Sequence, residues 1–209
     1  MKRGDPTDRA GFTLLELMIV ITIIVFLACL AMPSMSRILK GSQVTIGSEI
    51  LSTQFAFARQ TALTKNRIVE VRFYQYVDPS IPGSPSSFRA VQDFQYDEAN
   101  QTAMPLAKMQ RLPGSLIMDA RATYSTLLAD VARLKTWTPS SDPQVVLPGV
   151  SSYTAYYVRF RPDGTTDLVK TANWFITVRE ETDTGSPAKN YVTLQIDPVN
   201  GSLKTYRPG

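Results

Sequence analysis

Glu16 stands in a run from Phe12 to Met32 in which only Thr13, Glu16 and Thr22 are polar. The run is 21 residues long, which matches one membrane-crossing helix. A carboxylate inside such a helix costs on the order of 2.5–3.5 kcal/mol on insertion scales, and less near the interface. Its presence therefore calls for a partner. Two other groupings could do chemistry. Asp163, Thr165 and Asp167 alternate as calcium ligands might, but an EF-hand loop needs a longer series that ends in a bidentate glutamate. With Gly164 between them, they read instead as a hairpin turn. Lys204 and Arg207, with Tyr206 between them, could touch nucleic-acid phosphates and stack on bases. The competing reading is an edge strand guarded by charge.

Composition narrows the rest. Among 209 residues there is no histidine, which removes the usual general base near neutral pH and the commonest transition-metal ligand. The one cysteine, Cys29, lies inside the apolar run, so neither an intrachain disulfide nor a cysteine metal site is available. No cofactor or metal is expected, and catalysis would need a carboxylate pair converging in space. A net charge of +4 is too mild to argue for nucleic acid by itself. The N-terminus admits three readings: a cleaved secretory signal, a lipoprotein signal ending at Cys29, or a retained anchor. The apolar run is too long for the first and contains Glu16, and "FLAC" has bulky Phe26 where a branched aliphatic residue is usual in the second.

"GFTLLELMIVITII", from Gly11 to Ile24, resembles the N-terminal motif of type IV prepilins and type II secretion pseudopilins: a glycine before the cut, an aromatic first mature residue and a glutamate fifth in the mature chain. The resemblance implies that prepilin peptidase cuts between Gly11 and Phe12 on the cytoplasmic side and N-methylates Phe12. The new amine is a cation at membrane depth, and Glu16, about 6 Å along the helix axis, can pair with the amine of a neighbouring subunit. Glu16 then sets register in assembly. Pro33 matches a family proline that kinks or locally melts the helix, in keeping with a residue that supplies no amide hydrogen and clashes one turn back.

The elements that must position these residues follow from periodicity. Val44, Ser48, Leu51, Phe55, Ala58 and Ala62 recur at alternating steps of four and three, so a helix runs from Phe12 to about Lys65. At 1.5 Å per residue it would span roughly 80 Å, far more than a bilayer needs. From "IVEVRFYQY" the period changes to two, a strand with one buried face. Further strands are expected at "FRAVQDFQY", "GSLIMDA", "AYYVRFR", "WFITVRE", "YVTLQID" and "SLKTYR", with hairpin turns at Asp163-Gly164 and Asn200-Gly201 and a short amphipathic helix over 120–135. The fold class is α+β, one long helix against an antiparallel sheet. The expected divisions are a leader over 1–11, a transmembrane and assembly half of the helix over 12–33, an amphipathic half over 34–66 and a β-rich exported domain over 67–209.

"FAFARQTALTKNRIVEVRF", "LPGSLI" and "RFRPDGTT" are similar to the GspH-type minor pseudopilins and the FimT-like minor pilins, and "NYVTLQIDPVNGSLKTYRPG" resembles the Verru_Chthon cassette protein D group. The sequence departs from that pattern in a longer middle over 100–150. The implied protein is a non-enzymatic minor subunit of a type II secretion pseudopilus or a type IV pilus-like filament. It would cross the bacterial inner membrane once and place its C-terminal domain in the periplasm or in the filament. Implied partners are prepilin peptidase, other pilin or pseudopilin subunits and an inner-membrane assembly platform. The alternative is a FimT-like DNA-uptake pilin that binds DNA through Lys204 and Arg207.

Overall fold

The structure, a computed structural model, describes residues 13–207, and describes residues 30–40 by their backbone alone. The chain divides into two compact units, Met1–Lys40 and Gly41–Gly209. Helix α1, Leu14–Lys65, supplies the described part of the first and the opening element of the second. Its C-terminus is set by Asn66, which adopts a left-handed φ of 51° that asparagine tolerates. The Arg67 amide donates back to the Ala62 carbonyl at 3.3 Å, the six-to-one bond of a Schellman cap. The chain then enters the sheet at once.

In the second unit the strands are β1 (Ile68–Tyr76), β2 (Ser87–Asp97), β3 (Thr102–Pro105), β4 (Gln110–Arg111), β5 (Leu116–Met118), β6 (Leu134–Trp137), β7 (Tyr153–Phe160), β8 (Trp174–Glu180), β9 (Tyr191–Ile196) and β10 (Leu203–Tyr206). They form one antiparallel sheet in the order β10-β9-β8-β5-β2-β1-β7-β6. β3, β4 and β5 share the remaining edge of β2 in series: β3 pairs with Phe94–Asp97, β4 with Ala90 and Val91, and β5 with Phe88 alone. The two halves of the sheet thus meet at the single pair Phe88–Met118.

One face of this sheet takes α1. Val44, Leu51, Phe55, Ala58 and Ala62 are buried against Val69, Val71 and Phe73 of β1, Val158 and Phe160 of β7, and Ile176 and Leu194 farther along. Phe55 sits 5.6 Å from the Phe73 ring and 6.0 Å from Phe160. Gly47 lets the helix come close, since a Cβ there would lie 2.7 Å from the Leu116 side chain. The α1 stripe read from the sequence is therefore the buried one, Ser48 included.

The other face corrects the expectation for β1. Glu70, Arg72, Tyr74 and Tyr76 are buried too, because the connection between β6 and β7 folds over them and contributes Asp142, Val145, Leu147 and Val150. Glu70 binds Arg72 at 2.6 Å and Arg159 at 2.7 Å, and Arg72 also reaches Asp142 at 2.9 Å. The two guanidinium groups stack on aromatic rings, Arg72 over Phe94 and Trp137 and Arg159 over Tyr96 and Tyr157. Alternating polar residues looked solvent-facing, but they are an interior ionic layer in which each charge has a partner.

Two further expectations hold in narrower form. Within 120–135 only one turn, α2 (Thr126–Ala129), is α-helical; a 3-10 turn follows at Val131–Arg133, and Leu134 already begins β6. The turn at Asp163-Gly164 exists, with Gly164 at φ 82°, but it closes only the bridge Phe160–Thr166. The strand that follows, β8, lies far across the sheet order from β7. The Asn200-Gly201 turn does join neighbours, β9 and β10. It packs on the first turn: a Cβ on Gly201 would stand 2.7 Å from the Gly164 carbonyl.

Candidate assembly site

At the start of α1, Thr13 and Glu16 satisfy each other. The Thr13 amide and hydroxyl both donate to Glu16 Oε2, at 3.1 and 3.0 Å, and the Glu16 amide donates to Thr13 Oγ1 at 3.2 Å. The Thr13 carbonyl accepts the first helical bond from the Leu17 amide. This is a capping box, in which side chains serve amides that a helix N-terminus leaves without intrahelical acceptors. Sequence reading singled out Glu16 and missed Thr13, although the T-x-x-E spacing was there to be read. Gly11 and Phe12, the expected cleavage and methylation residues, lie outside the described residues.

Beyond the box, every large apolar side chain from Leu14 to Leu27 is exposed. Thr22 turns its hydroxyl back onto the Met18 carbonyl at 2.7 Å, so this third polar residue of the run is also satisfied within the helix. Cys29 is a free, exposed thiol. The backbone of α1 continues through Pro33 as helix. No helix among the described residues is long and apolar enough to cross a membrane; the expected span, Phe12 to Met32, begins before the described residues and ends among side chains outside them.

Lys204 and Arg207 are not brought together. β10 pairs Leu203 with Ile196 and Thr205 with Leu194, both core residues, so Lys204 and Tyr206 occupy the opposite face. Arg207 turns instead to α1, donating to Thr45 Oγ1 at 2.9 Å and to the Gly41 carbonyl at 3.4 Å. Lys204 lines a polar groove with Lys170, Asn173 and Asp197. Asp163 accepts from the Thr165 amide and hydroxyl at 2.9 and 2.7 Å, while Asp167 accepts from Arg133 and from the Arg159 amide. These carboxylates are thus engaged in shaping the turn.

The sequence matches the model of the prokaryotic N-terminal methylation motif over residues 7–31. No curated protein matches the chain. Among solved structures, the minor pseudopilin EpsH of the Vibrio cholerae type 2 secretion system is similar at 10% identity and a TM-score of 0.44, over 80% of this chain and 98% of that one. The type IV minor pilin FimU of Pseudomonas aeruginosa is similar at 14% identity and a TM-score of 0.42, over 80% of this chain and 93% of that one. A methylation motif implies membrane anchoring at the N-terminus and an extracytoplasmic domain beyond it. The chain thus carries the prokaryotic N-terminal methylation motif ahead of a long helix and an antiparallel sheet.

Proposed function

We propose that this chain is a minor pseudopilin or pilin-like subunit, cut by prepilin peptidase between Gly11 and Phe12 and N-methylated on Phe12. An inner-membrane assembly platform then inserts it among other pilin-like subunits, in a secretion pseudopilus or a type IV pilus-like filament. The observation that carries the reading is the methylation motif at 7–31, with Glu16 fifth from the expected start. Glu16 lies in the first turn of α1, held there by Thr13, and a carboxylate about 6 Å along the axis from a terminal amine suits pairing between staggered neighbours. Each charge removes much of the cost of placing the other in an apolar surrounding. The subunit's role is assembly, without a reaction of its own.

Mass spectrometry of the N-terminal peptide from the membrane-extracted protein tests the processing step, with a mature chain beginning at methylated Phe12 expected. A start after Ala31, or a lipidated Cys29, would overturn it. Replacing Gly11 with a bulkier residue should leave the leader attached.

A further inference from the structure

Asp93 is fully buried at the centre of β2, and neither of its carboxyl oxygens has a hydrogen-bond partner. Its register partner on β1 is Val71, a core residue packed beneath α1, so Asp93 faces the helix side of the sheet. The same face carries Val69 and Phe73 of β1 and Val91 and Gln95 of β2. The polar group that α1 buries without a partner is Gln54 Oε1, which is neutral.

Among the described residues, no charged group lies against this carboxyl from any packed element. Glu70 and Arg72 of β1 belong to the opposite face and are paired there. On α1, Glu49 and Lys65 are exposed and Arg59 donates to the Asn200 carbonyl. Along the edge segment, Lys108 is exposed and Arg111 stacks toward the Tyr76 ring. Burial alone therefore acts on Asp93, and it pushes the carboxyl up to about 8.

Beside Asp93, the open edge of β2 is taken by a short-paired segment whose Leu106 packs against the same helix-face core. β3 has four residues and β4 two. Between them the ladder is interrupted: the Leu106 amide reaches the Asp93 carbonyl at 2.9 Å and Gln92 Nε2 donates to the Ala107 carbonyl at 3.0 Å. Leu106 is only partly buried, and Met104 is 65% exposed. From residue 102 to 111 no side chain is fully buried, and Leu112 is the first core residue after them; such a stretch opens locally at lower cost than the central strands.

We propose that Asp93 is a proton-operated latch on the edge segment 102–112. With the carboxyl protonated the segment stays docked; when the segment lifts, water reaches the carboxyl, it ionises, and the open form is stabilised. Opening also bares the edge of β2, whose backbone groups then become free for water or another strand. The sign follows from the two protonation states. Closed, Asp93 keeps its proton up to about 8; open, it loses the proton from about 4 upward. The closed state binds more protons between those limits, so opening becomes easier by up to about tenfold per pH unit from ~4 to ~8 and levels off above.

Hydrogen exchange of the full chain in detergent micelles, followed from about pH 5.5 to 9 and corrected for intrinsic exchange, tests the latch. Amides of 102–112 should lose protection by up to about tenfold per pH unit until ~8, while β1 amides hold theirs. Asp93→Asn, which mimics the protonated acid, should give a flat profile for the same amides. Identical profiles in the two proteins, or a flat wild-type profile, would overturn the proposal. If Asp93→Asn does not fold, infrared titration of the wild type decides: a protonated buried carboxyl at neutral pH, lost together with segment protection, supports the latch, and an ionised Asp93 at pH 6 sinks it.

Discussion

Both halves of α1 are rich in apolar residues, yet they dispose of them in opposite ways. From Leu14 to Leu27 every large apolar side chain is exposed, with no polar side to the helix apart from Glu16 and Thr22. From Val44 to Ala62 the apolar residues fall on one stripe, and the stripe is covered by the chain's own sheet. An all-round apolar helix belongs among lipid or other helices, whereas an amphipathic one already has its partner. Among the described residues the first half keeps its apolar side chains exposed, whereas the second is part of a finished domain.

Breaking the second half should have the largest effect. Phe55 packs on Phe73 and Phe160, and Phe55→Ala should cost about 3–5 kcal/mol by leaving a cavity between helix and sheet. Thermal unfolding of the full chain in detergent, followed by near-ultraviolet circular dichroism, would report it. Ile24→Ala in the first half should leave that transition in place. An equal loss from both would erase the distinction.

Next in size is the ionic layer on the far face of β1. Glu70→Gln keeps the shape but leaves Arg72 and Arg159 without their shared carboxylate, which should cost about 3 kcal/mol for an uncompensated buried charge. Glu70→Leu, with the two guanidinium groups still present, should be no better. A loss below about 1 kcal/mol, by denaturant unfolding, would mean that the layer is more hydrated than its burial indicates.

How much of this was legible in the sequence depends on where each constraint resides. The second half of α1 was readable because its period is local: each buried residue is three or four from the next. β1 was placed with its bounds but given only one buried face, because Glu70 and Arg72 are buried by partners as far away as Asp142 and Arg159. β3, β4 and β6 went unread; two to four residues carry too little period, and their place depends on the free edges of β2 and β7. In the assembly segment the motif was legible and the Thr13 cap was not drawn from it. Lys204 and Arg207 looked like neighbours in sequence, but Lys204 stands on the face of β10 away from the core while Arg207, just past the strand, turns to α1.

The acid limit of the domain should be set by Asp119. Burial opposes its charge, but the Arg121 side chain and amide and the Arg179 guanidinium donate to it and hold it down at about 2. Since the folded value lies below that of an unfolded aspartate, the stabilisation is complete above about pH 4 and is lost as pH falls toward 2. Asp119→Asn should flatten that limb of the unfolding profile while lowering stability at pH 6. Because the groups belong to the second unit alone, helicity of the Leu14–Cys29 segment should not follow the same titration.

The smallest effect sharpens the boundary between the halves. Arg207 grips α1 at Thr45 Oγ1 and the Gly41 carbonyl, at the first turn of the second unit. Arg207→Ala should therefore speed amide exchange over about residues 41–48 and in β10, by an amount equivalent to less than about 1 kcal/mol for an exposed charge-assisted bond. Amides around Phe55 to Ala62, held by the core, should be unchanged. Lys204→Ala, on the face of the strand away from the core, should change neither. A gel-shift series on the two variants separates this role from phosphate binding. If Arg207 serves as a clasp on α1, its loss alters exchange without altering DNA retention. Salt-sensitive retention that falls in both variants would assign the two cations to nucleic acid instead.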